Sequence, residues 1–161
     1  MLARIRQSAK TENDKGFTLI ELLVVMIIIG ILAAIAIPVF LNQRQKAQDS
    51  ATKADVTTLG KEIATYFVDN SSAPSGTPAV TIVGRTTTNP GNYQFNSTTV
   101  GRVSDQTITV VNTGFNATTP TTDWCVALTN SAGSGSKVWM YTARSGLVNG
   151  TSAGCVSGTD Y

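Results

Sequence analysis

Hydrophobic and polar positions change their spacing twice along this chain. From Phe17 to Leu41, FTLIELLVVMIIIGILAAIAIPVFL, apolar residues follow one another almost without a break. The run is too long for a typical core helix. It is long enough to cross a bilayer, since about twenty residues at 1.5 Å each span the hydrocarbon. Past Leu41 the pattern turns amphipathic. Val56, Leu59, Ile63, Tyr66 and Phe67 recur at spacings of three, four, three and one, which is one face of a helix. This stripe predicts plain core packing of the helix on a head. Asn70-Ser71-Ser72-Ala73-Pro74 supplies the stop.

From about residue 79 the period shortens. Val80–Val83, Tyr93–Phe95, Thr107–Val111, Trp124–Thr129 and Val138–Thr142 are short, rich in β-branched and aromatic residues, and divided by Gly, Pro, Asn and Ser. They read as strands. Asn89-Pro90-Gly91-Asn92 reads as a turn, and Ala132-Gly133-Ser134-Gly135-Ser136 as a hairpin connection between the last two strands. Alternation puts Trp139 and Tyr141 on one face of the last strand, with Val138 and Met140 on the other. The tail from Ser145 reads as loop. The pattern therefore predicts an α+β chain, with one long helix from 17 to about 70 and a small antiparallel β-sheet head.

Local chemistry modifies this outline. Met26 to Ala36 contains many β-branched residues, which lowers helix propensity in water. Inside lipid the argument reverses, because each backbone group must be bonded within its own segment. Pro38 removes one amide donor and crowds the carbonyl of Ala34, so a kink or local loss of helix is expected there. Gly30 softens the same stretch. Asp49 and Lys53, four residues apart, are expected to pair on the wet side.

Charge excludes more than it suggests. The chain has 12 basic and 10 acidic groups and no histidine, for a net charge of +2. Arg4, Arg6, Lys10 and Lys15 are balanced in residues 1–16 by only Glu12 and Asp14, so the remainder holds eight groups of each sign. A sequence-wide basic surface for nucleic acid is not supported. The absence of histidine removes the commonest general base and metal ligand. No pair of carboxylates stands out, and no enzyme is expected. Asp105, Asp123 and Asp160 match no known metal-loop spacing and read as solvated turn acids. No cofactor is expected. Asn70, Asn96, Asn116 and Asn149 each open a glycosylation acceptor triplet, as chance allows in a chain rich in Asn, Ser and Thr. The two cysteines, Cys125 and Cys155, lie far beyond the apolar run. If that part is exported, a disulfide is expected.

Glu21 is the anomaly, a carboxylate in the first turn of the apolar run. A charge within hydrocarbon is expensive and calls for a partner. Three readings compete. A conventional signal peptide would be cut near Ala34-Ile35-Ala36, but its apolar stretch is too long and carries Glu21. An ordinary signal anchor would keep the basic leader inside, yet Arg44 and Lys46 follow the span and Glu21 stays unexplained. A cut before the run, between Gly16 and Phe17, would free an amine one helical turn from Glu21. A neighbouring copy could then neutralise the carboxylate.

Lys15-Gly16-Phe17-Thr18-Leu19-Ile20-Glu21 resembles the class III signal of type IV prepilins. The resemblance covers about twenty-seven residues strongly and little of the head. It implies cleavage after Gly16 and N-methylation of Phe17 by a prepilin peptidase/methylase. It also implies assembly through Glu21, a helix softened at Gly30 and Pro38, and a pilin-like fold. The expected Cys125–Cys155 bond resembles the carboxyl-terminal disulfide loop of many pilins. It would close about thirty residues, worth about 3–4 kcal/mol by chain entropy.

The parts expected are a cytoplasmic leader (1–16), a transmembrane and assembly half of the helix (17–41), an amphipathic half (42–70) and a β-sheet head with its disulfide loop (71–161). The resemblance implies a single-pass precursor in the cytoplasmic membrane, head outside, and a mature form in a cell-surface filament. Its implied partners are itself, membrane lipid, the prepilin peptidase, a pilus platform protein, an assembly ATPase and minor pilins. The alternatives are a pseudopilin of type II secretion or DNA uptake, and a membrane-anchored binding module that does not polymerise.

Overall fold

The computed structural model describes residues 16–75, 79–135, 137–150 and 154–155. It divides into two compact units, the first ending at Val39 and the second beginning at Phe40. The expected leader, apart from Gly16, lies outside the described residues, as do Asp160 and Ser136 of the hairpin connection.

One helix, α1 (Leu19–Asp69), serves both units. In the first unit it passes Gly30 without a break, and the expected local loss of helix at Pro38 does not occur. Proline withholds a single N–H, and the hydrogen bonds of the turns on either side carry the helix through. Large apolar side chains from Leu19 to Leu41 stand exposed. The most apolar stretch has a mean hydropathy of 3.1 with none of it buried. By length and composition this helix can cross a membrane.

The second unit packs the later turns of α1 on two antiparallel sheets. β1 (Val80–Val83), β2 (Asn92–Phe95) and β3 (Thr98–Arg102) form the first, in that order. β4 (Ile108–Phe115), β5 (Trp124–Asn130), β6 (Val138–Thr142) and β7 (Gly146–Gly150) form the second, also in chain order. The head thus has two sheets where the sequence pattern suggested one. Val56, Leu59 and Ile63 are fully buried, with Tyr66 and Phe67 packed beside them, as the helical stripe predicts. They meet Val80, Tyr93, Phe95, Ile108, Trp124, Val126 and Leu128. Strand β6 alternates as expected. Trp139 and Tyr141 join this core, while Val138 and Met140 join Cys125, Ala127 and Cys155 on the far side of the sheet.

Two strands escape the sequence pattern. Strand β3 follows a two-residue turn in which Phe95 pairs with Thr98. Asn96 and Ser97 both take positive φ, at 48° and 65°. That is the backbone a tight hairpin needs, made without the glycine that usually announces it. Strand β7 corrects the reading of a loop from Ser145. Thr142 pairs with Gly146 and Val138 with Gly150, so β7 extends the sheet through backbone bonds that its small polar residues do not advertise.

Candidate functional site

The start of α1 is built by its own first turn. Thr18 precedes the helix, and its backbone N–H donates to Glu21 Oε2 at 2.8 Å. Its hydroxyl donates to the same oxygen at 2.7 Å. In return the Glu21 N–H donates to Thr18 Oγ1 at 3.3 Å. This is a reciprocal capping box, satisfying two amide donors that a helix start leaves open. Glu21 therefore has a partner within its own first turn, in addition to any amine that a neighbour could bring. Thr18 was missed as a functional residue, although the Thr-x-x-Glu spacing before an apolar run is its sequence signature. Oε1 takes no hydrogen bond among the described residues, so one carboxylate oxygen remains available. Phe17, 88 % exposed, lies with Ile20, Glu21, Val24 and Val25 around a shallow open groove. Gly16, Phe17 and Glu21 thus fall within the opening residues of one exposed apolar helix. Gly30 and Pro38 lie farther along it and share no contact with them.

The second unit is held together by acids on the buried side of α1. Asp55 accepts from the Tyr93 hydroxyl at 2.8 Å, from the Ser104 N–H at 2.9 Å and from the Ser104 hydroxyl. Burial, then the charge of Asp55 and its hydrogen bond, push the Tyr93 phenol well above its usual range against a lesser pull from Arg85. Asp49 does not pair with Lys53. It is buried and accepts from the N–H and hydroxyl of Ser134 in the β5–β6 connection. The two Ser134 donors hold the carboxylate below the surface. Lys53 instead places its ammonium 4.1 Å from the ring centroid of Trp139.

Asp105 and Asp123 are not simply solvated turn acids. Asp105 accepts from the Thr107 N–H at 2.8 Å, from the Thr107 hydroxyl and from Gln48 Nε2 at 3.2 Å. Burial disfavours its charged form. The donors from Thr107 and Gln48, with the charge of Arg44, outweigh that and hold Asp105 below the usual carboxylate range. Asp123 is buried, pairs with Arg144 and accepts from the Thr119 hydroxyl. Turn acids recruited by nearby donors cannot be told from solvated ones by spacing alone. No group of three His, Cys, Asp or Glu suited to a metal occurs among the described residues.

Cys125 on β5 and Cys155 form a disulfide. Asn112 of β4 reinforces it by accepting from the Cys155 N–H at 2.7 Å and donating to the Cys155 carbonyl at 3.0 Å. The far-side cluster of Ala127, Val138 and Met140 surrounds the bridge.

A family model described as the prokaryotic N-terminal methylation motif matches residues 12–37. The type IV wide pilus major component PilA4 of Thermus thermophilus is 43 % identical over 83 residues, covering 52 % of this chain and 63 % of that protein. The type II secretion system core protein G of Escherichia coli is 34 % identical over 65 residues, 40 % of this chain and 45 % of its own. The protein of that name from Pseudomonas aeruginosa is 36 % identical over 63 residues, 39 % and 44 % respectively. The chain thus spans less than two thirds of the length of these relatives. No solved structure matches. Residues 12–37 thus match a prokaryotic N-terminal methylation motif, and over part of its length the chain is similar to a type IV pilus component and to type II secretion system core protein G.

Proposed function

We propose that this chain is the precursor of a structural filament subunit, a type IV pilin. It rests in the cytoplasmic membrane with its head outside until a prepilin peptidase cuts between Gly16 and Phe17 and methylates the new amino terminus. Glu21 of an incoming subunit then pairs with the Phe17 amine of a subunit already at the filament base. The observation that carries this reading is the first turn of α1. Thr18 orients the Glu21 carboxylate through one oxygen, leaves the other open, and does so at the head of an exposed apolar helix. In hydrocarbon the attraction between that oxygen and an amine is weakly screened, so it can fix axial register.

The apolar helices then exchange lipid contact for contact with one another. Hydrophobic burial changes little in that exchange. Work from outside is needed, which a cytoplasmic assembly ATPase acting through a membrane platform protein would supply. The protein is a substrate and building block in this scheme, not an enzyme.

Amino-terminal mass spectrometry of the mature protein tests the processing. N-methylated Phe17 is expected, and a chain still starting at Met1 would overturn the reading. Replacing Gly16 is expected to leave the leader attached and abolish filaments. Glu21→Ala is expected to spare membrane insertion and impair assembly. A second reading, a pseudopilin forming a short secretion piston, is favoured by the identity with type II secretion core protein G. Electron microscopy separates the two, since only a pilin makes a long surface fibre with this chain as its main component.

A further inference from the structure

A cleft between α1 and β6 collects positive charge in the second unit. Lys46 and Lys53 line it from the helix, Trp139 from β6, and Lys137 from the residue just before that strand. Cation–π attraction to Trp139 holds Lys53 in place. Asp49, the carboxylate that also lines the cleft, is already occupied by Ser134. Lys46 and Lys137 are exposed. Among the described residues the ion pair is Arg144 with Asp123, so none of these three lysines has a carboxylate partner.

The acids of the same unit show the complementary situation. Asp49, Asp55, Asp105 and Asp123 are all engaged by donors within the head. Glu62 and Asp69 remain without a partner among the described residues, and Asp69 is exposed at the end of α1. Asp69 follows Lys53 by 16 residues and Lys46 by 23. At 100° and 1.5 Å per residue it sits about 140–160° around the axis and about 24–35 Å along it. The opposite charges of one copy therefore lie on opposite flanks of the helix and cannot meet. Complementary patches that differ in position make a heterologous contact, the kind that propagates into an open helical polymer.

We propose that the Lys46–Lys53–Lys137 cleft is an inter-subunit docking site. It takes the carboxylate-bearing end of α1, centred on Asp69, from a second copy of this chain. The proposal rests on the filament reading above and adds a polar contact between heads to the apolar contact between helices. Its chemistry is that of a desolvated ammonium–carboxylate cluster, which sets register and rejects misaligned copies by like-charge repulsion.

Charge exchange in the full chain, expressed with its assembly machinery, tests it. Lys46→Glu combined with Lys137→Glu keeps the Lys53–Trp139 packing. This double variant is expected to insert and be cleaved normally but to yield about tenfold fewer sheared filaments. Asp69→Lys alone is expected to do the same, and all three changes together to restore filaments. A separate Lys46→Cys, Asp69→Cys variant is expected to give disulfide-linked ladders in filaments and none in the membrane-held form. Wild-type filament yield in the double variant, or no restoration in the triple, overturns the proposal. So does a double variant that keeps its filaments but loses retention on phosphatidylglycerol vesicles or on DNA, because the cleft then serves another polyanion. If the unaltered chain forms no filaments, the filament reading fails as well. If it forms them and charge exchange has no effect, only the docking site fails.

Discussion

The Tyr93 hydroxyl donates to Asp55 Oδ2 at 2.8 Å, and both side chains are buried. This bond ties the first sheet to the helix, and its consequence is a dependence on pH. The folded state holds the Tyr93 proton well above the ordinary phenol value of 10.0, mainly through burial and the charge of Asp55. The unfolded chain releases that proton near the ordinary value. Above it the unfolded state binds fewer protons, so stability is full at lower pH and falls as pH rises, by about 1.4 kcal/mol per pH unit for one group. Urea unfolding measured across the alkaline range should show this slope, and Tyr93→Phe should remove one proton's share of it. Asp55→Ala should cost more than Tyr93→Phe. It strands the buried Tyr93 hydroxyl, at about 1–3 kcal/mol, and also removes both bonds from Ser104, where Tyr93→Phe deletes one bond worth about 1 kcal/mol.

Gly60 on α1 faces the ring of Tyr141 on β6 with no room between them. A Cβ built there would fall 2.2 Å from Cδ1 of Tyr141. On helix propensity alone Gly60→Ala would stabilise by about 1 kcal/mol. Overpacking against a ring fixed in the core costs about 1–3 kcal/mol and should win. The expected outcome is a lowered thermal midpoint. A raised midpoint would mean that the ring moves aside freely and that the contact does not set the spacing.

What the sequence made legible follows from what each signal depends on. The long helix was readable because its apolar run and its Val56–Leu59–Ile63 stripe are properties of consecutive residues. Five strands were readable because β-branched and aromatic residues mark them. Strand β7 was not, since Gly146, Asn149 and Gly150 carry no strand preference and owe their conformation to pairing with β6. The Asp49–Lys53 spacing gave a false pair because helical geometry says nothing of Ser134, which arrives from a distant connection. At the candidate site, Glu21 stood out by its charge. Thr18 carried an equally plain signature in the Thr-x-x-Glu spacing, but a neutral hydroxyl does not answer the charge of Glu21 and so does not stand out beside it.

The Cys125–Cys155 bridge links residues 30 apart. Closing a loop of that length constrains the unfolded chain, and removing such a bond costs about 2–5 kcal/mol. Cys125→Ser with Cys155→Ser should therefore lower the denaturation midpoint. The loss should equal that produced in the unaltered chain by a reductant. The second unit's larger core around Val56, Leu59 and Ile63 does not include the bridge, so the variant should still fold. Failure to fold at all would place the bridge among the determinants of the sheet rather than among its supports.

Thr18 and Glu21 allow the two roles of the carboxylate to be separated. As a helix cap, Glu21 acts only through Thr18, and losing either residue opens the same box. As an inter-subunit partner, Glu21 acts through an amine that Thr18 does not supply. Thr18→Ala deletes the hydroxyl and keeps the Thr18 backbone donor, so the carboxylate stays oriented by one bond in place of two. If pairing with a neighbour dominates, Thr18→Ala should retain filaments within about twofold of the unaltered chain, while Glu21→Ala loses them about tenfold or more. Thr18→Ser, which restores the hydroxyl, should be indistinguishable from the unaltered chain. Sheared-filament yield, measured beside the amount of cleaved subunit in the membrane, reads both roles at once. Equal loss in Thr18→Ala and Glu21→Ala, with Thr18→Ser normal, would assign the conspicuous charge of this helix to capping its own first turn and would leave the neighbour's amine without a role.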